Sequence, residues 1–337
     1  MNLFEESYSK LSESSNSFMK GNSMNQRSIS SVGFSLKWRM YLVIISLPLI
    51  YLIFISILGS LGVPWEFYML IAGGMFLFQY FQSTKLVLKS IGAKEVTEDE
   101  EPELHRIIER LSLAASIPKP KVAVSNTDVP NAFAAGRDVN HSVICVTEGL
   151  RKRLDPLELE GVIGHEVMHI VNRDVSVMTF ANFFAMAAAT LMSMFMWASI
   201  FGSFGGRNRS QGGMAFMIAY AVSVLVYFLC TILMCTLSRY REYAADRGGS
   251  ILTGDPSKLA SALQKISSYI STVSSKDLRK METANALFII SALKGESLAG
   301  LFASHPPLDK RVQKLQDLKV QMSGTTSISW KKYTGEK

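Results

Sequence analysis

His165-Glu166-Val167-Met168-His169 stands immediately upstream of one long uncharged segment, and Glu242-Tyr243-Ala244-Ala245-Asp246 stands immediately downstream of the next. Two His at i and i+4 lie on one face of a helix and can share a Zn²⁺ ion, with the Glu between them free to act as a base. Glu242 would be the third ligand. Asp246, one helical turn further on, would accept the second ring N–H of a ligand His. The two uncharged segments, Val175–Gly206 and Ser210–Ser238, are each long enough to cross a bilayer. Two crossings return the chain to the side it left.

Charge placement supports that path. Lys and Arg gather on one side of the proposed membrane: Arg27, Lys37 and Arg39, then Lys85, Lys89 and Lys94, then Arg151, Lys152, Arg153 and Arg173, and finally Arg239, Arg241 and Arg247. The opposite loops carry only Arg207 and Arg209. The positive-inside rule therefore puts both termini and the candidate site in the cytosol of a multi-pass cell-membrane protein. His169 would lie about 9 Å along its helix from span three, and Glu242 about 7.5 Å from span four. Antiparallel neighbours thus hold the three ligands at similar height.

Outward from this pair, Met40–Trp65 and Phe67–Thr84 are also uncharged, giving four spans in all. Trp38, Tyr41, Trp65 and Tyr80 stand near their ends, as an aromatic belt requires. A chain that is 48% hydrophobic and 19% charged suits a membrane protein, and its net charge of +7 is spent flanking apolar segments. The basic residues are not interleaved with aromatics along a recognition element, so no nucleic acid is expected as partner; the lipid bilayer is. Cys145, Cys230 and Cys235 read as small buried apolar residues rather than a disulfide framework.

The organisation that follows is a disordered cytosolic arm (1–37), a transmembrane hairpin (38–84), a soluble part carrying the HExxH helix (85–174), a second hairpin (175–238), a second soluble part carrying the third ligand (239–320) and a flexible tail (321–337). The fold class is a mainly α membrane protein with four transmembrane helices and a cytosolic zincin-like domain containing a small β-sheet. Leu104, Ile107, Ile108 and Leu111 predict an amphipathic helix from Pro102. Lys121–Val124, Asn131–Gly136 and Ser142–Thr147 predict short strands. Asp155-Pro156 and Asp255-Pro256 predict helix starts. With no Pro or Gly between Glu166 and Gly202, the HExxH helix is expected to run straight into span three. Gly248-Gly249 is expected to stop the helix of span four. His105 and His141 read as surface or loop residues.

The set Asn131-Ala-Phe-Ala-Ala-Gly136, His165–His169, Ser238-Arg-Tyr-Arg-Glu-Tyr-Ala-Ala-Asp246 and Ser304-His-Pro-Pro307 resembles the HtpX family of membrane-bound zinc metalloproteases, relatives of the CAAX prenyl endopeptidases. The resemblance covers about residues 40–320. It implies that His165, His169 and Glu242 bind one Zn²⁺ per subunit and that Glu166 is the general base. It also implies that Asn131, Ala132, Phe133, Ala134 and Gly136 belong to an edge strand on which an extended substrate pairs. His305 would donate to the oxyanion of the tetrahedral intermediate. The activity implied is endopeptidase cleavage of cytosolic segments of membrane or misfolded proteins. A prenyl-protein processing protease and a noncatalytic zinc-stabilised membrane adaptor are the rival readings. Arg239 and Arg311 either steady the site or face lipid headgroups.

Overall fold

A computed structural model describes residues 34–61, 65–202, 210–272 and 305–334. The arm expected over 1–37 lies outside the described residues up to position 33, as do most of the connector between spans three and four and the turn at 62–64. Helices dominate: α1 (Phe34–Ser60), α2 (Trp65–Ser90), α3 (Pro102–Ala114), α4 (Glu148–Arg151), α5 (Pro156–Val171), α6 (Asp174–Gly202), α7 (Ser210–Thr253), α8 (Pro256–Ile270) and α9 (Leu308–Thr334). Four strands, β1 (Ala93–Glu95), β2 (Lys121–Ser125), β3 (Ala132–Gly136) and β4 (Ser142–Thr147), form one mixed sheet in the order β1-β2-β4-β3.

Among the described residues, three segments are long and apolar enough to cross a membrane: Trp38–Ser60, Asp174–Ile200 and Met214–Thr253. In α1, Val43, Leu47, Tyr51, Phe54 and Leu58 recur at helical spacing and are buried against α6 and α7. Leu42, Ile45, Leu49 and Ile53, on other faces, are exposed, as lipid-facing residues would be. α2 forms a continuous helix over the expected second span, but it falls outside those three segments. Gln79, Gln82, Ser83 and Thr84 dilute its apolar character.

The C-terminal end of α2 has a second task. Its Val87 and Leu88, with Ile91 just beyond it, pack on one face of the sheet, against Ala123, Phe133, Ala135, Val143 and Cys145. The other face, with Val122, Ala132, Ile144 and Val146, enters a core shared with α3, α5 and α8. Central β4 is consequently buried at every position, whereas β3 and β1 form the sheet's two edges. The helix at Asp255-Pro256 buries Leu259, Leu263, Ile266 and Ile270 as its pattern foretells.

Two expectations about helix ends are corrected. The HExxH helix does not run into the membrane: α5 ends at Val171, and α6 begins at Asp174 after a turn in which Arg173 adopts φ 55°. Lack of Pro and Gly permits a helix to continue but does not enforce it; here the left-handed residue redirects the chain. Gly248-Gly249 does not stop α7, which continues to Thr253. α9 runs to Thr334, so the stretch from 321 that is expected as a flexible tail carries helical backbone as far as 334.

The glycines of α7 serve close approach instead. A Cβ on Gly249 would come within 2.7 Å of the His165 backbone nitrogen and 2.9 Å of the Gly164 carbonyl carbon. A Cβ on Gly164 would come within 2.7 Å of Thr253 Cγ2. The two helices therefore cross backbone to backbone beside the HExxH motif. Because the obstruction is main chain, no side-chain rotation relieves it. Gly249→Ala is expected to destabilise the protein by about 1–3 kcal/mol, the usual cost of overpacking. Thermal unfolding of the detergent-solubilised variant against wild type measures it.

Candidate active site

α5 starts on a reciprocal cap. The Asp155 carboxylate accepts from the backbone N–H groups of Leu157 and Glu158, and Glu158 accepts from the Asp155 N–H. Sixteen residues in helical register then place His165 and His169 on one face, toward α7. Their Nε2 atoms are 3.1 Å apart. His165 Nε2 lies 3.5 Å from Glu242 Oε2, and His169 Nε2 lies 3.6 Å from Glu242 Oε1. All three residues are buried.

The other ring nitrogens face carboxylates. His165 Nδ1 is 3.0 Å from Asp246 Oδ1, and His169 Nδ1 donates to Asp174 Oδ2 at 2.6 Å. A carboxylate only accepts, so the ring proton belongs on Nδ1 in each imidazole. Both Nε2 lone pairs then point at one another and at a carboxylate, an arrangement that is repulsive until a cation lies between them. Ligands held about 2.0–2.1 Å from one tetrahedral ion lie about 3.3 Å from each other, which matches the separations here. His165, His169 and Glu242 thus fit a single metal ion.

Charge balance agrees. Four buried carboxylates, on Glu166, Asp174, Glu242 and Asp246, face two guanidinium groups, on Arg241 and Arg311. The remaining negative charge suits a divalent cation. Burial alone would lower the pKa of His165, but Asp246 and Glu242 outweigh it and raise it to about 10: the same carboxylates that would favour a metal ion at Nε2 favour a proton there when no metal is bound. Burial holds Glu166 above the usual carboxylate range, which makes it a stronger base.

Glu166 also touches the sheet: its Oε2 accepts the Ala134 N–H at 2.8 Å. That contact reveals how β3 is turned. Phe133 and Ala135 alternate with Ala134, and Thr147 N–H donates to Asn131 O at 3.0 Å on the β4 side. The backbone groups of Ala132, Ala134 and Gly136 therefore face the open edge. Asn131 precedes the strand, its N–H donating to the Thr147 hydroxyl. Phe133 points away into the cluster against α2.

His305 is buried, with Nδ1 3.4 Å from Glu242 Oε2, so the segment before α9 does reach the site. Arg311, whose role the sequence left between site and headgroups, is only 1% exposed. It donates through Nε and Nη2 to both oxygens of Asp246, at 2.8 and 2.6 Å, and its Nη1 lies 3.3 Å from Glu242. The adjacent carboxylates hold its charge firmly in place despite burial. Arg239 is elsewhere, donating to Thr236. His105 is not a surface residue: it is buried in α3, with Nε2 3.0 Å from Val96 O. His141 is exposed beside Asp138. Asp174 and Arg241 escaped the sequence reading. The signal available was a carboxylate five residues beyond His169, a spacing that an unbroken helix directs away from it.

Two crossing helices, a metal-fitting cluster between them and an open strand edge beside it, all next to membrane-length helices, constitute a membrane-bound metalloprotease. Comparison with known proteins agrees. Residues 98–319 match the family model described as Peptidase family M48. The Protease HtpX homolog of Moorella thermoacetica is 45% identical, over 84% of this chain and 94% of its own length. Protease HtpX homolog 2 of Methanosarcina mazei is 43% identical, over 86% of this chain and 97% of its own. The chain belongs to peptidase family M48, with the HtpX proteases as its near relatives. The fold is also similar to the crystal structure of S. mikatae Ste24p, at a TM-score of 0.50 and 18% identity, covering 79% of this chain and 62% of that one.

Arg311 offers a direct test of the buried charge balance. Arg311→Ala leaves Asp246 and Glu242 uncompensated and is expected to cost about 3–5 kcal/mol of stability. Arg311→Lys should recover only part of this, since an ammonium cannot reproduce the two-pronged contact. Chemical unfolding of the three proteins in detergent gives the ordering.

Proposed function

We propose that this metalloprotease is a zinc endopeptidase that cleaves cytosolic segments of membrane or misfolded proteins, with His165, His169 and Glu242 as the ligands and Glu166 as the base. The observation that carries the reading is the pair of imidazoles whose Nδ1 atoms face carboxylates and whose Nε2 atoms meet beside Glu242, next to a further carboxylate fixed to an open strand edge. A His/His/Glu donor set suits Zn²⁺. Bound there, zinc supplies Lewis acidity toward a peptide carbonyl and toward water.

The chain's own residues do the rest. Ala132, Ala134 and Gly136 present backbone groups to which an extended peptide can add as a further strand. Glu166, held by the Ala134 N–H, takes the proton of the attacking water and returns it to the departing amine. Asp246 orients His165, and Arg311 fixes Asp246 from behind. His305, beside Glu242, is placed to donate toward the developing oxyanion once a substrate is present. In this reading α1, α2, α6 and α7 make four crossings, both termini are cytosolic, and the site faces chains that lie near the bilayer. The soluble parts 85–174 and 239–320 then form one catalytic unit between and beyond two membrane hairpins.

Family membership favours an enzyme over a zinc-stabilised adaptor. Prenyl-protein processing stands as the second reading, which a farnesylated CaaX peptide assayed beside casein separates from the first. Glu166→Gln should retain about one zinc per chain by metal analysis. Its cleavage of casein should fall by about 10²–10⁴-fold, the usual contribution of a general base. Retained cleavage by the metal-loaded variant would sink the mechanism.

A further inference from the structure

The break between α5 and α6 brings Asp174 back onto the HExxH face. On an unbroken helix, residues five apart are separated by about 140° around the axis, so a side chain at 174 would point away from His169. With Arg173 at φ 55° the chain reverses locally, and Asp174 Oδ2 receives the His169 Nδ1–H at 2.6 Å. Its other oxygen, Oδ1, pairs with Arg241 Nε at 3.0 Å. Asp174 is 1% exposed and is the first residue of α6, where the helix N-terminus favours a carboxylate. Arg241 precedes Glu242 on α7. Each end of this bridge therefore belongs to a membrane-length helix, and the imidazole hangs from its middle.

We infer that Asp174 is the positioning residue for His169: anchored by Arg241, it fixes the Nδ1–H tautomer and the ring angle that aim Nε2 at the metal. His165 receives the same service from Asp246 on α7. The two imidazoles are thus oriented by carboxylates from two different membrane-length helices, α6 for one and α7 for the other. The relative placement of those helices is built into the metal site. A side chain that only capped α6 or only neutralised Arg241 would leave metal affinity untouched.

This inference rests on the ligand set proposed above, and one titration separates the two. Zinc affinity is measured on the full-length chain in detergent by competition with a chromophoric chelator, for wild type, Asp174→Ala and Asp174→Asn. If wild type binds no zinc, the ligand set itself fails. If it binds, Asp174→Ala should bind about 10–100-fold more weakly, the usual cost of losing a carboxylate behind a ligand His. Asp174→Asn keeps the size of the side chain and an oxygen able to accept the Nδ1–H, and should recover most of that affinity. The Co²⁺-loaded Ala variant should also show a visible absorption spectrum altered from wild type, while the Asn variant should stay close to it. Wild-type affinity in Asp174→Ala would overturn the inference. So would an Asn variant as weak as Ala, because the negative charge at 174 and not the acceptor for Nδ1–H would then set the affinity. Should the Ala variant fail to fold, Asp174→Leu, which also lacks an acceptor for the Nδ1–H, takes its place by the same criterion.

Discussion

The crossing of α5 and α7 at Gly164 and Gly249 is the constraint on which the rest of this molecule depends. Helices normally pack with axes about 8–10 Å apart, and the bulk of their side chains sets the distance. Here main chain meets main chain, since a Cβ on Gly249 would fall 2.7 Å from the His165 nitrogen. One helix carries both imidazoles and the other carries Glu242, and only a close crossing brings all three donors into one cluster. Asp246 then arrives behind His165 because it lies a single turn beyond Glu242. A stretch of helix that would gain from Ala on propensity alone retains Gly because the site requires the approach.

Concentrating this much charge away from water carries a penalty that the site offsets in layers. Each inner group has an outer partner: Asp246 behind His165, Asp174 behind His169, Arg311 behind Asp246 and Glu242, Arg241 behind Asp174. Hydrogen bonds to ionised groups are stronger than neutral ones, and burial strengthens them further. Removing any outer partner exposes the next group inward. The residual negative charge of the cluster favours a divalent cation, so electrostatics and ligand geometry point the same way. The sheet enters through one bond, from the Ala134 N–H to Glu166, which ties the open strand edge to the carboxylate that stands between the two imidazoles in sequence.

Sequence reading and structure part company at particular residues. Helix starts at Pro102, Pro156 and Pro256 were legible because capping and proline chemistry are local. Strand β4 was legible in full, since Ser142–Thr147 is a β-prone run bounded by turn signals. The turn at Asn172-Arg173 was not, for no residue there demands a left-handed conformation; packing against the sheet and α7 selects it. Gly248-Gly249 was misread because two glycines can end a helix or thin it, and only the neighbour shows which.

The sequence by itself determined the donors and their local geometry. Spacing of four residues puts His165 and His169 on one helical face, spacing of four puts Asp246 under Glu242, and the uncharged runs beside them mark helices long enough to cross a membrane. These are consequences of helix pitch and of solvation, which act over a few residues at a time. Only the tertiary structure decided which carboxylate stands behind His169, that Arg311 faces inward, and that the Ala134 edge of β3 meets Glu166. Those contacts join residues 5, 65 and 32 positions apart across chain reversals. Their existence depends on how closely helices cross and where a turn falls, and packing settles both.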